Sequence, residues 1–370
     1  MEQWKEYKLG EIAIMKNGKK RPQKVGVYPI YGGNGIMDYS DSYNAENAII
    51  VGRVGAYCGC VYKCEGKCWV SDNAISVHAT EAVDTQFLYY LMTTLNFHHH
   101  HIGGAQPLMT QDIIGGFTVS IPPMQVQQML VHILKSLDDK IELNRRINDN
   151  LEQQAQALFK SWFVDKAKRE WEETSLSDVC CQITDGAHNS ILDTIKGGYY
   201  LLSCKNIKNG QLSIGTTERE IDTETFNKLR KRTKLDKGDI LLTSVGTIGE
   251  LFLLAFEPHN IEFQRSVAII KPNYDYVSSF FLYELLKSQN TQIKNLAHGA
   301  VQQCIFISDL KGYNFTLPDR STISQFDEIV APIFQKKTEL NNEIQSLAQL
   351  RDTLLPRLMS GELKINDLNC

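Results

Sequence analysis

The fold of this chain is decided by a stretch that occurs twice. Residues 140–147 read KIELNRRI, and residues 337–344, which lie 197 positions later, read KTELNNEI. Both stretches lie within longer polar segments whose apolar residues recur at steps of three and four, the spacing of one helix face. A chain that contains the same helical segment twice is predicted to contain two copies of one structural unit.

Matches elsewhere in the chain occur in the same order in both copies. Trp4 and Leu9 recur as Trp171 and Leu176, Val54-Gly55 as Val245-Gly246, Phe87-Leu88-Tyr89 as Phe281-Leu282-Tyr283, and Gly104-Ala105 as Gly299-Ala300. The offset grows from 167 to 197, and 24 of these 30 extra residues fall between positions 9 and 54 of the first copy. Copies that agree at their ends and differ in the middle favour two readers of related but different ligands. Ordinary loop drift in a duplicated domain is the alternative.

Within each copy, short β-rich runs and one amphipathic helix precede a long helix. The runs are residues 48–51, 69–77, 240–244 and 266–271, and the amphipathic helices lie near Phe87 and Phe281. Prolines after residues 121 and 317 are predicted to end the last strand of each copy. We therefore predict an α+β protein with pseudo-twofold duplicated halves, in which two mixed α/β globules are joined by two long helices. The predicted segments are residues 1–122, 123–168, 169–319 and 320–364, followed by a tail at 365–370.

The two long helices carry narrow apolar stripes that need a partner, and each is the simplest partner for the other. Roughly 40 residues at 1.5 Å each give a helix near 60 Å, too long to fold back into a globule of this size. Packing as an intramolecular coiled coil follows from the stripe. Pro356 is expected to kink or stop the second helix, with Ser360-Gly361 as its cap. Six stripe positions are candidates for partner binding: Leu137, Ile141, Leu151, Leu340, Ile344 and Leu347.

Composition excludes several classes of protein. The 370 residues are 42% hydrophobic and 22% charged, typical of a folded domain and not of a disordered chain. No stretch of eighteen apolar residues predicts a membrane span, and the N-terminus lacks the apolar core of a secretory signal. Nine cysteines without such a signal favour reduced thiols and a cytoplasmic location. A net charge of −4 excludes a histone-like binder but allows local basic strips.

Motifs for catalysis and cofactor binding are missing from the sequence. There is no P-loop and no GxGxxG, and the single Pro-Pro pair does not follow Asn or Asp as a base methyltransferase requires. The nuclease-like Glu-x-Lys triplets at residues 65–67 and 362–364 are short enough to occur by chance. Cys58, Cys60, Cys64 and Cys68 lack the C-x2-C spacing of structural zinc sites, so no metal is predicted there.

Polar residues in the predicted turns are candidates for contacting DNA. Arg and Lys hold phosphates or guanine, whereas Asn and Gln match the edge of adenine in the major groove. The candidates in the first globule are Lys16, Asn17, Lys19, Lys20, Arg21, Asn34, Arg53 and Gln106. Those in the second are Asp185, His188, Lys205, Asn206, Lys208, Thr247, Gln302 and Gln303, with Arg230, Lys231 and Arg232 considered beside them. Neither globule is basic overall, and lysines and arginines on loops are more often simply solvated.

The order of several segments resembles one known family. LEQQAQALFKSWFVD at residues 151–165 and LRDTLLPRLMSGEL at 350–363 end the two helices. Further segments are GRVGAYCG at 52–59, GGAQPLMTQDI at 103–113, IPPMQVQQ at 121–128 and DGAH at 185–188. Their order and duplication resemble the specificity subunit of type I restriction-modification systems over nearly the whole chain.

The resemblance implies a division of labour within a larger complex. Each globule would be a target-recognition domain for one half of an asymmetric, split DNA sequence. The helices would form an antiparallel coiled coil that sets the gap and docks two methyltransferase subunits, through which restriction subunits join. S-adenosylmethionine, ATP and magnesium would then belong to the partner subunits, and this chain would hold no cofactor and catalyse nothing itself.

Two other functions remain open at this stage. A coiled-coil scaffold or regulator would bind methyltransferase subunits without reading DNA. A stand-alone restriction enzyme would need a cofactor pocket of its own.

Overall fold

The computed structural model describes residues 4–104, 106–188, 191, 193–194, 197–215, 217–299 and 303–364. The predicted tail at 365–370 and the candidate Gln302 lie outside these residues. The chain divides into a first unit, residues 1–144 with 343–370, and a second unit, residues 145–342. Within the described part, no helix has both the length and the apolar character to cross a membrane.

In its described residues, the first unit combines ten short strands with three short helices, the beginning of one long helix and the end of the other. The strands are β1 (Lys5–Lys8), β2 (Ala13–Asn17), β3 (Tyr28–Gly32), β4 (Gly35–Ser40), β5 (Ala45–Glu46), β6 (Ile49–Gly52), β7 (Val61–Lys63), β8 (Lys67–Val70), β9 (Ala74–Ala79) and β10 (Thr118–Ile121). The helices are α1 (Leu9–Ile12), α2 (Thr85–Thr94), α3 (Gln111–Gly115) and α4 (Met124–Phe159).

The first unit is built on an antiparallel sheet in the order β2-β9-β6-β7. Strand β6 is apolar throughout because both of its faces are covered. Ile49 and Val51 pack with Phe87 of α2, while Ile50 packs with Val70 of a second sheet, ordered β4-β3-β8-β5. The pairing of β1 with β10 closes the unit.

The second unit contains eleven strands among the residues that the structure describes. They are β11 (Glu172–Ser175), β12 (Cys180–Asp185), β13 (Tyr199–Leu202), β14 (Ile207–Lys208), β15 (Gln211–Leu212), β16 (Glu220–Ile221), β17 (Ile240–Thr243), β18 (Leu251–Leu253), β19 (Ile261–Phe263), β20 (Val267–Pro272) and β21 (Asn314–Leu317). The helices are α5 (Leu176–Val179), α6 (Thr223–Thr233), α7 (Ser279–Ser288), α8 (Asn290–Lys294), α9 (Ile307–Lys311) and α10 (Arg320–Met359).

The topology of the second unit repeats that of the first. The sheet order β12-β20-β17-β18 corresponds to β2-β9-β6-β7, and the β11–β21 pair corresponds to β1–β10. Helix α7 follows β20 as α2 follows β9, so the duplication predicted from the sequence is confirmed. The hairpin of β14 and β15 and the helix α6 lie between β13 and β17. The described residues 28–52 of the first unit contain no counterpart to α6, which accounts for much of the extra length.

The long helices run antiparallel within each unit. Helix α4 has 36 residues and continues into a π-helical turn at Lys160–Val164, and α10 has 40 residues. In each unit, as the residue number rises along α4, the number of the contacted residue on α10 falls, as expected for antiparallel helices. The contacts are Asp138 with Arg351 and Lys140 with Glu343 in the first unit, and Asn148 with Asn341 and Glu152 with Lys337 in the second. The antiparallel coiled coil implied by the resemblance is confirmed.

One carboxylate on α4 joins three elements in each unit. In the first, Asp138 accepts hydrogen bonds from the Tyr90 hydroxyl of α2 at 2.6 Å and from Arg351 of α10 at 2.8 Å. In the second, Glu152 accepts from Lys287 of α7 and from Lys337 of α10. The amphipathic helix of each globule is thereby fixed to both long helices.

Two details of the predicted elements are wrong. Residues 69–77 were expected as one run, but Ser71 to Asn73 form a turn that passes from β8 in one sheet to β9 in the other. Helix α10 continues past Pro356 to Met359, so the proline does not stop it, while the alternative of a kink at Pro356 stays a prediction. The predicted cap is present: Gly361 has a φ of 73° and donates to the Leu358 carbonyl at 3.3 Å.

The strand ends agree with the predicted prolines. Strand β10 ends at Ile121 and α4 begins at Met124, while β21 ends at Leu317 and α10 begins at Arg320. The predicted domain boundaries themselves stay a prediction.

Candidate nucleic-acid interface

The first loop cluster begins where β2 ends. Gly18 donates to the Ala74 carbonyl at 2.9 Å, and Lys19 donates to the Val70 carbonyl at 3.0 Å. A Cβ atom at Gly18 would lie 1.9 Å from the Ser71 carbonyl oxygen, so only glycine permits this approach. The chain is thereby pressed against the β8–β9 turn. The exposed side chains of Lys19, Lys20 and Arg21 follow directly.

A second loop joins the same turn from the other side. The Arg53 amide donates to the Asn73 carbonyl at 2.9 Å, and its guanidinium Nη1 donates to the Asp72 carbonyl at 3.3 Å. Gly55, with a φ of 78°, donates to the Pro107 carbonyl at 3.1 Å and brings the exposed Gln106 to this loop. The exposed Asn34 follows Gly33, where a Cβ atom would meet the Asn73 carbonyl oxygen at 3.6 Å.

The segment after β2 and the β8–β9 turn border an open cleft of about 540 Å³. Arg21 and Asp38 in its lining form an exposed pair at 3.9 Å. Such a pair contributes little stability in water, so both groups are available to a ligand. The residues that line the cleft are Lys20, Arg21, Pro22, Gln23, Met37, Asp38, Ser71, Asp72 and Asn73.

The second unit has the same arrangement at the same end of its sheet. A Cβ atom at Gly186 would lie 1.9 Å from the Phe263 carbonyl oxygen, as at Gly18, and Ala187 donates to that carbonyl at 2.8 Å. The DGAH motif is therefore the turn that presses on the β19–β20 connection. Within it, the Asp185 carboxylate lies 2.7 Å from His188 Nε2 and 3.6 Å from Arg232 Nη1. Asp185 organises the turn, and His188 stays exposed.

Ser266 links the other loops of the second cluster. Its hydroxyl accepts from the Cys204 amide at 3.1 Å, and its carbonyl accepts from the Ser244 amide at 2.9 Å. Val245 forms a bridge with Cys304. Three predicted residues, Lys205, Thr247 and Gln303, are exposed beside these anchors. Lys205 is paired with Glu218 at 3.1 Å.

Three predicted residues lie outside the two loop clusters. Lys16 and Asn17 are exposed on β2, an edge strand of its sheet, and Lys208 is exposed in the β14–β15 hairpin.

Two polar residues form hydrogen bonds within the fold of the second unit. The side chain of Asn206 is 3% exposed, accepts from the Ser203 amide at 2.9 Å and donates to the Ser213 carbonyl at 2.9 Å. The Asn206 side chain is thus buried and holds its own loop, unlike the exposed candidates around it. Arg230 is committed to the buried carboxylate of Glu262 at 2.5 Å.

The predicted partner-binding positions divide into two groups. Ile141 and Leu340 are 2% and 3% exposed, so they are part of the packed interior and offer no surface to another protein. Leu137, Leu151, Ile344 and Leu347 are half-buried on the long helices.

The sequence matches the model of a known protein family in two places. The model described as the type I restriction modification DNA specificity domain matches residues 1–153 and 168–350. The chain belongs to this family. The two matched spans correspond to the two repeated halves, and each contains one of the loop clusters.

Curated relatives of this specificity-domain chain are also specificity subunits. The MjaIX specificity subunit of Methanocaldococcus jannaschii is 26% identical over 320 residues, which cover 78% of this chain and 71% of the relative. The HindI specificity subunit of Haemophilus influenzae is 25% identical over 336 residues, covering 70% and 72%. A crystal structure of the S subunit of a type I restriction-modification system from M. genitalium aligns with a TM-score of 0.60 at 17% identity, covering 97% of this chain and 96% of that one. The last comparison establishes the shared fold.

The sequence patterns did not predict several exposed residues of the two loop clusters. In the first unit, these residues are Asp72 and Asn73 on the β8–β9 turn, which Gly18 contacts. In the second unit, the residue is Arg265 on the β19–β20 connection, which Gly186 contacts. The signal for them was weak, because residues 69–77 read as one strand and concealed the turn. Only pairing between distant segments, such as the bridges of Lys19 with Ser71 and of Ala187 with Gln264, identifies this position.

The cysteines of this specificity-domain chain are distributed over different environments. Cys58 packs with the apolar residues beneath α2, whereas Cys64 and Cys68 pack between the two sheets of the first unit. Burial raises the pKa of the Cys58 thiol and so keeps it neutral. No group of three or more His, Cys, Asp or Glu side chains converges in the described ranges. The expectation of no zinc stays a prediction.

Proposed function

We propose that this chain is the DNA sequence-recognition subunit of a type I restriction-modification complex, and that each unit reads one half of a split target. One observation carries the proposal. The two units share a framework and present the same set of loops at the same end of the sheet, but with different side chains. A repeated framework with changed loops is what two readers of different sequences require.

The chemistry of the two clusters supports an asymmetric target. The first presents Lys20, Arg21 and Asn73 around its cleft, a combination suited to guanine and adenine edges. The second presents His188 and Arg265 on its corresponding turns. Different donors and acceptors at corresponding positions favour different bases.

The other roles are assigned to partners. We propose that two methyltransferase subunits dock on the chain and that restriction subunits join through them. S-adenosylmethionine, ATP and magnesium then bind to those subunits, since the sequence contains no motif for any of them. On this proposal the chain is not an enzyme by itself and acts in the cytoplasm, where genomic DNA is found.

Domain exchange tests the proposal. Residues 1–122 are replaced by the corresponding segment of a related specificity subunit, and the methylated sites of the host genome are sequenced. We expect one half of the methylated sequence to change while the other half and the gap stay the same. Exchange of residues 169–319 is the matched experiment and should change the other half.

A coiled-coil scaffold that only binds methyltransferase subunits predicts a different result. Its complex would methylate the same sites after either exchange. That outcome would refute recognition by this chain.

A further inference from the structure

Helix α6 is a feature of the second unit that the duplicated framework does not require. It begins at Thr223 and is capped by Asp222, whose carboxylate accepts from the Thr225 amide at 2.7 Å. Phe226 and Thr233 face the interior, whereas Lys228 and Lys231, one turn apart, are exposed. The helix therefore has one buried face and one basic face.

The buried face fixes α6 to the sheet through a charged residue. Arg230 donates from Nε to the carboxylate of Glu262, which is 0% exposed, at 2.5 Å. Its Nη2 atom donates to the carbonyls of Pro258 at 2.6 Å and Ile261 at 2.8 Å, and Thr233 donates to Glu262 at 3.1 Å. A buried pair with this many hydrogen bonds holds the helix in one position.

The C-terminal end of α6 is attached to the candidate interface. Arg232 donates to the Gly186 carbonyl and lies 3.6 Å from the Asp185 carboxylate, both within the DGAH turn. The Arg232 carbonyl in turn accepts from Gln182 of β12 at 3.1 Å. The last turn of α6, which carries Lys231, is thus continuous with the second loop cluster.

The exposed lysines of α6 form no ion pair with an acidic side chain in the described part of the chain. In the described ranges, neither Lys228 nor Lys231 forms an ion pair, although ion pairs are frequent elsewhere on the surface. Unpaired, flexible ammonium groups beside base-reading loops suit phosphate oxygens, which they can follow without fixed geometry.

We propose that α6 binds the DNA backbone next to the half-site read by the second unit, with Lys228 and Lys231 contacting phosphates. This inference rests on the proposed function. It assigns to the second unit a sequence-independent contact from a helix that has no counterpart in the described residues 28–52 of the first unit. The loops select the bases, and α6 adds affinity without adding specificity.

The test measures DNA binding by the complex assembled with its methyltransferase subunits. Lys228→Gln and Lys231→Gln are introduced together, and the dissociation constant for a duplex containing the methylated site is measured between about 50 and 200 mM salt. Each lost phosphate contact should reduce the slope of log K against log salt by about one. We expect the slope to fall by about two and binding at about 50 mM salt to weaken by roughly tenfold or more, with the methylated bases unchanged.

A matched variant controls for the change in net charge. Lys237 and Lys311 are exposed lysines of the same unit, and Lys237 precedes β17 at the end of the sheet away from the loops. Lys237→Gln with Lys311→Gln should leave the salt slope unchanged.

The outcomes separate the two proposals. A wild-type complex that binds no sequence specifically would refute the proposed function. A specific wild-type complex whose α6 variant keeps the original slope and affinity would overturn the inference alone. So would an α6 variant that loses methyltransferase subunits, because α6 would then contact protein.

Discussion

Lengthening both long helices by four residues should widen the gap between the two half-sites. The insertions are placed after Asn144 in α4 and after Asn342 in α10, where the chain passes between the two units. Each unit then keeps two polar contacts between its helices, because both partners of each contact lie on the same side of the insertions. These contacts are Asp138–Arg351 and Lys140–Glu343 in the first unit and Asn148–Asn341 and Glu152–Lys337 in the second.

The size of the effect follows from helix geometry. Four residues add about 6 Å of length and about 400° of rotation, which is some 40° beyond a full turn. One base pair of B-DNA adds about 3.4 Å and, at 10–10.5 base pairs per turn, about 35°. If the helix pair lies along the duplex, the length favours two additional base pairs and the rotation favours one. We expect the gap to grow by one or two base pairs.

Methylome sequencing of the host measures both the bases and the gap. Insertion of three residues at both places is the control, because about 4.5 Å of length comes with a rotation roughly 60° short of a turn. That rotation is opposite to the one DNA requires, so methylation should fall sharply. Insertion after Asn144 alone would shift α4 against α10 and should prevent assembly. Altered bases with an unchanged gap would show that the helices do not set the spacing.

Three further predictions concern single side chains. Burial raises the pKa of Glu284 to about 8. Folding stability should therefore fall by about 1.4 kcal/mol per pH unit as the pH rises from 4.5, the ordinary pKa of this carboxyl, to 8. Thermal unfolding of the Glu284→Gln variant should lack this pH dependence. The Thr322 amide and hydroxyl lower the pKa of Asp319 to about 2, so its stabilising effect is present above pH 4 and is lost as the pH falls through 2; Asp319→Ala should cost about 1 kcal/mol at pH 7 and clearly less at pH 2 in denaturant titrations. Metal analysis should find no stoichiometric zinc, and Cys58→Ser with Cys60→Ser should not change the metal content; one zinc per chain that this variant loses would contradict the prediction.

The sequence predicted the features that depend on local spacing. The apolar periodicity of both long helices, the helices at Phe87 and Phe281 and the strand ends before the prolines all come from contacts within a few residues. The stop at Pro356 was misjudged because the sequence shows only the missing amide, whereas the packing of Leu358 into the apolar core of the first unit favours continuing the helix.

The loop clusters could be predicted only in part because they depend on distant pairings. Arg53 and Asp72 meet through a hydrogen bond across nineteen residues, and no local pattern announces it. Asn206 shows the opposite error. A turn asparagine reads as a base contact, but its amide satisfies backbone groups of its own loop, a use that spacing alone does not distinguish.

The contacts that fix each globule to the long helices explain how base recognition and the gap between half-sites could vary independently. A spacer sets a gap only if each reader is held firmly on it. Both units meet this need with a carboxylate on α4 that binds one globule helix and α10 together, although Asp138 joins a tyrosine and an arginine while Glu152 joins two lysines. These contacts lie on the helices, and the loop clusters lie beyond the strands, so none of these contact residues belongs to a loop cluster. On the proposed function, a change of loop residues would therefore alter the bases that are read while the length of the gap is preserved.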